Sequence, residues 1–351
     1  MTNTVDTRYS ARGSAATISL IGRVLRPSAA LIIPLVMICL IIALMGAPRL
    51  QSIMTEALIY VVLVVGLSIF IGNSGIVSFG HVTFALIGAY ASAWQTCCGP
   101  MRLIFMPELP SWLATAQVPV VVAAFLAATL AAVVALILGA VLMRLSGTAA
   151  SIALMSVLFV FKSAYENWEG WTAGQSAIVG MPNYVTLWVA LGAAIIAIVI
   201  ATVYRLSSFG LRLRAVREDE AAARASGVNA WLQKLVAFTV SAFVAGLGGV
   251  LYGHFLGTIA VSMFWLDMTF LTLAMLVVGG LRSLTGAVVG TLFVVALRES
   301  IQLFERGLSF GDTLLRAPEG TREIVLAIIL LAVLIFRPQG LVGEREAGER
   351  K

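Results

Sequence analysis

Long apolar runs, separated by short polar or Gly-rich breaks, dominate this chain of 351 residues. A helix needs about 20 mainly apolar residues to cross roughly 30 Å of hydrocarbon at about 1.5 Å per residue. On that scale ten runs predict membrane-spanning helices, near residues 29–47, 53–72, 81–96, 119–142, 148–166, 185–204, 233–254, 264–281, 284–303 and 321–336. The predicted fold is therefore an all-α polytopic membrane protein with about ten transmembrane helices.

The composition excludes a soluble protein of this size. Hydrophobic residues make up 60% of the chain and charged residues 11%, whereas soluble domains carry about 25% charged residues. The net charge of +6 is spread through short loops rather than along one face, so nucleic acid is not an expected partner. Membrane lipid is the expected solvent.

The distribution of basic residues predicts the orientation. We expect residues 1–28 to form a cytoplasmic tail, residues 29–336 the transmembrane domain and residues 337–351 a second cytoplasmic tail. With both termini inside, sixteen of the 23 Lys and Arg residues fall on the cytoplasmic side. This excess is typical of cytoplasmic loops. The first run is predicted to be an uncleaved span rather than a signal peptide, since no small-residue cleavage site follows it.

The longest predicted cytoplasmic loop, residues 205–232, contains a charged segment that predicts a short helix over 214–227. Two opposite-charge pairs lie four residues apart within it, Arg214 with Glu218 and Glu220 with Arg224. Gly227 is suited to end the helix in a left-handed conformation, and Asn229 to cap the next one.

The same segment carries small side chains away from its charges: Ala221, Ala222, Ala223 and Ala225. Small residues let the backbone of a second protein approach closely. Spacing alone leaves two interpretations open, a docking helix for a partner and a solvated connector.

The pattern Glu220-x-Ala222-Ala223, followed by Gly227 and Asn229, resembles the cytoplasmic coupling motif of ABC importer permeases in its Liv-type form. The stretch from Leu213 to Glu218 is similar to the segment that precedes this motif. Further matches to the branched-chain amino acid (LivM-like) permease family follow in the expected order at 72–90, 144–148, 234–252, 279–286 and 336–341. Arg282, Ala287 and the loop 171–178 depart from the family pattern, which bears on substrate identity more than on membership.

The resemblance implies a permease subunit in the cytoplasmic (inner) membrane that imports branched-chain or related amino acids. It also implies a second related permease subunit, two ABC ATPase subunits and an extracytoplasmic solute-binding protein as partners. Members of the family are also associated with other amino acids, amides and urea. The residues that it implies for coupling to the ATPase are Arg217, Glu218, Asp219, Glu220, Ala222, Ala223 and Gly227.

The chain itself contains no Gly-x-x-x-x-Gly-Lys-Ser/Thr segment. ATP hydrolysis is therefore expected on partner subunits, and the chain is expected to be neither an enzyme nor the carrier of a cofactor or metal ion.

A polar, Gly-rich interruption follows the second run and is a candidate for the translocation path. Irregular backbone at membrane depth is tolerated only where protein or a water-filled cavity satisfies its polar groups. The candidates are Gly72, Asn73, Gly75, Ser78, Gly80 and His81. A tight cytoplasmic turn with no solute contact is the alternative, with His81 in a structural role.

Two other function classes fit less well. An ion-coupled secondary transporter of a small polar solute usually has titratable groups near the midplane of its spans, and no central acidic residue occurs here. A membrane enzyme would need clustered catalytic residues, whereas the chain has two His residues and neither an HExxH nor a GxSxG motif.

Overall fold

The computed structural model describes residues 27–99, 102–114, 118–306, 308–310, 313–315, 321–337 and 339–343. The predicted tail 1–28 lies outside the described residues except for its last two, and most of the tail 337–351 after residue 343 does as well. The described residues up to Leu206 contain nine helices: α1 Pro27–Leu44, α2 Pro48–Ser74, α3 His81–Thr96, α4 Arg102–Phe105, α5 Ser111–Ala114, α6 Val120–Leu142, α7 Gly147–Asn167, α8 Glu169–Thr172 and α9 Leu187–Leu206.

After α9 come two short helices and then four longer ones: α10 Ser208–Glu218, α11 Glu220–Ala225, α12 Ala230–Leu256, α13 Leu266–Gly279, α14 Leu284–Arg306 and α15 Thr321–Phe336. A 3-10 helix, Val261–Phe264, precedes α13. Two antiparallel strand pairs complete the fold, β1 Ile178–Val179 with β2 Thr258–Ile259, and β3 Leu308–Phe310 with β4 Thr313–Leu315.

Each of the ten apolar runs coincides with a helix. Within the described residues, eight helices are long and apolar enough to cross a membrane. The other two, α3 and α15, have 16 residues each, which corresponds to about 24 Å. The prediction of an all-α polytopic membrane protein is confirmed, whereas the count of ten complete spans is not.

Helix α2 lies at the centre of the bundle. Of its most apolar 18-residue stretch 89% is buried, against 22% for α1, 28% for α6 and 17% for α7. Its sequence is apolar on all sides, as a helix enclosed by other helices requires. Two of its polar side chains bond within the helix, Ser68 to the carbonyl of Val65 and Asn73 to that of Ile69.

Glycines allow α12 to pack closely against its neighbours. A Cβ built at Gly246 would lie 2.8 Å from the Cβ of Ala131 on α6, and one at Gly248 would lie 2.6 Å from Leu63 on α2. A Cβ at Gly249 would collide with the backbone of Ala85 on α3. The glycines of this span therefore serve close packing between helices.

The ends of the helices form two faces. We call residues 205–232 the coupling loop, and the face that carries its helices α10 and α11 the coupling-loop face. On this face, Arg205 donates to the carbonyl of Arg282 at 3.4 Å. The segment after α15 lies on this face too, because Leu341 N–H donates to the carbonyl of Val278 at the end of α13. On the opposite face, β1 pairs with β2 and Trp94 donates to the carbonyl of Trp171. The loop 205–232 and the chain after α15 thus share a face, as the charge pattern predicts.

Candidate functional site

The segment predicted as one helix over 214–227 is two helices, α10 and α11, broken at Asp219. This residue is extended (φ −153°, ψ 107°), and its carboxylate accepts from the backbone N–H groups of Ala221 and Ala222 at 2.9 and 3.0 Å. A carboxylate that caps a following helix competes with continuation of the preceding one. The prediction of a single helix is therefore wrong.

The end of α11 follows the prediction. Gly227 has φ +81° and lies in the left-handed region that favours glycine. Asn229 caps α12, since its side chain accepts from the N–H of Leu232 at 3.1 Å.

Glu220 is the centre of the charge network in the coupling loop. It bonds Arg224, as predicted, and it also accepts from Lys234 on α12 at 2.9 Å. The hydrogen bond from Lys234 lowers the pKa of Glu220 most, and nearby positive charge adds to this against the opposing effect of burial. The side chain of Lys234 is 5% exposed, so this pair fixes α11 to α12.

The second predicted ion pair differs. Glu218 accepts from Nε and Nη2 of the adjacent Arg217 at 3.0 and 2.6 Å, and these hydrogen bonds lower the pKa of Glu218. Arg214 instead donates to the carbonyl of Arg205 at 3.1 Å. Because Asp219 ends α10, Glu218 is its last residue and is free to turn toward its neighbour.

The two alanines of the motif face different surroundings. Ala223 is buried beside Val216 and Ala230, within the chain's own small apolar cluster. Ala222 is exposed. Of the two, Ala222 has its side chain accessible at the surface, and Ala223 packs α11 against the bundle.

The Gly-rich interruption is an extended segment that enters the bundle. Gly75 ends α2 in the left-handed region (φ +73°) and is exposed. Burial then alternates over 76–80, with Ile76, Ser78 and Gly80 buried and Val77 and Phe79 partly exposed. This period of two is typical of an extended chain, and Gly80 then has a helical backbone (φ −95°, ψ 0°) at the start of α3.

The segment ends at membrane depth, because α3 begins beside the middle of α2 and α12. His81, the first residue of α3, contacts Ser241, which lies eleven residues after the start of α12 at Ala230. Ser241 also donates to the carbonyl of Gly66, eight residues before the end of α2 at Ser74. At about 1.5 Å per residue, α3 begins roughly 12–16 Å below the coupling-loop face.

A buried chain of hydrogen bonds holds this start. The single proton of Ser241 goes to Gly66 O at 2.7 Å, so Ser241 Oγ accepts from His81 Nε2 at 2.6 Å. His81 Nδ1 then accepts from Ser78 Oγ, also at 2.6 Å. His81 is 4% exposed and Ser78 1% exposed. Ser78, His81 and Ser241 thus satisfy one another, as polar groups inside a membrane require.

The structure divides the six path candidates into two groups. Asn73, Ser78, Gly80 and His81 are buried, and the three polar side chains have protein partners. Gly72 and Gly75 instead line a cavity of about 490 Å³ on the coupling-loop face. Polar groups on its walls come from Arg217, Glu220, Lys234 and Arg282, and apolar ones from Ile71, Ile76, Val77, Val216 and Leu281.

Arg217 joins the coupling loop to the interruption. Its Nη1 donates to the carbonyl of Gly72 at 2.6 Å, and a Cβ built at Gly75 would lie 2.9 Å from its Cγ. The sequence pattern marked Arg217 only for coupling, and it did not mark Ser241. A lone serine in an apolar span is a weak signal for such a contact.

Two pairs of oppositely charged residues lie toward the opposite face. Lys162 bonds Glu166 within α7 at 3.0 Å, as their spacing predicts, and lies over the ring of Trp265. Glu56 on α2 meets Arg298 on α14 at 3.4 Å, a contact between helices that the sequence did not indicate.

Comparison with known proteins gives one family. A family model described as "Branched-chain amino acid transport system / permease component" matches residues 49–334. The high-affinity branched-chain amino acid transport system permease proteins LivM of Salmonella typhimurium and of Escherichia coli K12 are each 24% identical to the chain, over 83% of it and 69% of their own length. The LivH permease protein of Salmonella typhimurium is 26% identical over 82% of the chain and 92% of its own length. No solved structure matches the chain.

Proposed function

The chain belongs to the branched-chain amino acid transport permease family, and we propose that it is the membrane subunit of an ATP-driven importer in which α10 and α11 receive movement from an ATPase. The transport role and the inner-membrane location follow from membership and from the eight apolar helices. The proposal adds the energy source, the direction of transport and the partners.

The geometry of the coupling loop is the observation that carries the proposal. Two short helices lie across one face of the bundle, tied to α12 through Glu220 and Lys234 and to α2 through Arg217 and Gly72. Ala222 and Gly227 are exposed on this surface. A pair of helices that is bonded to the bundle on one side and exposed on the other is suited to transmit the movement of a second protein.

The partners and the solute follow from the relatives. Both LivM-type and LivH-type permeases match the chain, which supports pairing with a second related permease. Two ABC ATPase subunits and an extracytoplasmic solute-binding protein would complete the complex. Leucine, isoleucine and valine are the first solutes to test, since the matched proteins are named for branched-chain amino acids.

The test is reconstitution. The purified complex is placed in liposomes with the solute-binding protein, and labelled leucine uptake is measured with ATP, without ATP and with an imposed ion gradient alone. The proposal expects uptake that requires ATP and co-purification of ATPase subunits with this chain. Uptake driven by an ion gradient in the absence of ATPase subunits would instead identify a secondary transporter.

Two substitutions test the coupling loop. Gly227→Val forces a β-branched residue into φ +81°, and Glu220→Lys places a cation against Lys234 and Arg224. Each is expected to abolish ATP-driven uptake while the protein still inserts in the membrane. Ala225→Ser, at an exposed position of the same helix, is the matched control and should leave uptake unchanged. Normal uptake by both loop variants would remove the coupling assignment.

A further inference from the structure

Arg217 lies where the coupling loop meets the extended segment 75–80. We propose that Arg217 is a positioning residue that transmits movement of α10 and α11 to this segment, and through it to the start of α3 at membrane depth. This inference rests on the proposed function, because it assumes that α10 and α11 move.

The first contact is at the end of α2. Carbonyl groups in the last turn of a helix have no partner within the helix, and the helix dipole places partial negative charge there. Nη1 of Arg217 donates to Gly72 O in this last turn at 2.6 Å. The donor is a guanidinium cation, so this bond is charge-assisted.

The second contact is steric. Gly75 has φ +73° and packs against the aliphatic stem of Arg217, so closely that a Cβ on Gly75 would lie 2.9 Å from the Cγ of Arg217. The side chain of Arg217 is 15% exposed, and two bonds to Glu218 fix the orientation of its head group. The side chain of Arg217 therefore contacts the end of α2 through both a hydrogen bond and packing.

The path from there to the start of α3 is short and anchored at its far end. Burial alternates over 76–80, as in an extended chain, and Gly80 then has a helical backbone (φ −95°, ψ 0°) at the start of α3. A displacement at Gly75 therefore passes along few residues before it reaches α3. The segment ends at His81, which the bonds to Ser78 and Ser241 anchor. Between the two ends, Val77 is partly exposed and lines the cavity of about 490 Å³. Movement at Arg217 would change how Val77 projects into that cavity.

Two other polar contacts of the coupling loop are made to different helices. Glu220 ties α11 to Lys234 on α12, and Arg214 ties α10 to the carbonyl of Arg205 at the end of α9. These bonds fix the loop to helices that are continuous through the bundle. The bond from Arg217 is made to the helix that ends at the interruption.

The experiment compares Arg217→Met, which keeps the stem and loses the donor, with Arg217→Lys, which keeps a charged donor. Arg212→Met, at an exposed position of α10, is the matched control. The first measurement uses each permease alone in detergent and follows hydrogen exchange of backbone amides 76–81. The second uses the complete complex in liposomes and gives solute transported per ATP hydrolysed.

We expect Arg217→Met to raise exchange over 76–81 about tenfold, the loss of roughly one charge-assisted hydrogen bond. We also expect it to lower transport per ATP at least tenfold, with Arg217→Lys within about threefold of wild type and Arg212→Met unchanged. Unchanged exchange in Arg217→Met, or a normal transport ratio, would overturn the inference. Failure of the proposed function is separate, because it would appear as a wild-type complex with no ATP-driven uptake, whatever the exchange measurement gives.

Discussion

Close packing of α12 against α3 makes a prediction about Gly249. A Cβ at this position would lie 2.6 Å from the Cα of Ala85, whereas carbon atoms pack best at about 3.5–4.0 Å. The opposing group is helix backbone and not the end of a flexible side chain, so the two helices must separate by about 1 Å. A gap of that size forfeits roughly a quarter to a half of the dispersion energy along the contact.

We therefore expect Gly249→Ala to lower the free energy of unfolding by about 1–3 kcal/mol, the usual cost of overpacking a well-filled core. The matched control is Gly192→Ala on α9, where a Cβ would meet nothing within 4 Å. That change should stabilise by roughly 0.5–1 kcal/mol, since alanine loses less backbone entropy in a helix.

The assay is unfolding of each purified permease in mixed detergent, followed by the loss of helical circular dichroism as the fraction of denaturing detergent rises. The reasoning predicts opposite signs for the two variants and a difference of about 1.5–4 kcal/mol between them. Equal stability of Gly249→Ala and Gly192→Ala would refute it, because then helix separation at α12 costs nothing.

Three further predictions concern the polar contacts. Ser241→Ala leaves the Nε2–H of His81 buried without its acceptor, so the same unfolding assay should show a loss of about 1–3 kcal/mol; an unchanged transition would mean that the bond is dispensable. Asp219→Ala removes the cap of α11 and should cost about 1 kcal/mol locally, seen as roughly fivefold faster exchange of the Ala221 and Ala222 amides, whereas Asp219→Asn should stay near wild type. The pKa of Glu220 is held below its ordinary value of 4.5, so its pairing stabilises the loop above that pH and is lost as the pH falls below it. Protease protection of the loop should decrease over that acidic range in wild type but not in Glu220→Gln, and parallel profiles would contradict the assignment.

The sequence predicts the helices well because the requirement for apolar length is local. The ten apolar runs predict ten helices, and each run coincides with a helix. Local chemistry also places Gly227 at the end of α11 and Asn229 at the cap of α12, and it pairs Lys162 with Glu166. Each of these features depends on residues within one helical turn.

The break at Asp219 shows where local rules conflict. Arg214 and Glu218 are spaced for an ion pair on a continuous helix, and this favours helix through 219. Asp219 also suits a helix cap, and the cap prevails since its carboxylate satisfies two N–H groups that would otherwise lack partners. Propensity alone does not rank these two outcomes.

Contacts between distant residues are the part that the sequence does not reveal. Ser241 and His81 are 160 residues apart, and so no local spacing relates them. The depth at which α3 begins also depends on contacts between residues that are far apart in the sequence. A run of 16 apolar residues reads the same whether its helix starts at the surface or, as here, beside Gly66 in the middle of α2.

The hydrogen-bond chain at His81 also limits which residues can contact a passing solute. Polar groups that must be satisfied inside a membrane have their donors and acceptors committed to one another. Ser78 and His81 are committed in this way, so a solute that bonded them would have to break the contacts that hold α3 in place. Gly72 and Gly75 have no side chain to commit and border the cavity beside Arg217, whose guanidinium bonds the carbonyl of Gly72. If the interruption lines the translocation path, we therefore expect the solute to contact the residues that border the cavity. Val77, Gly72 and Gly75 are the first of these to test.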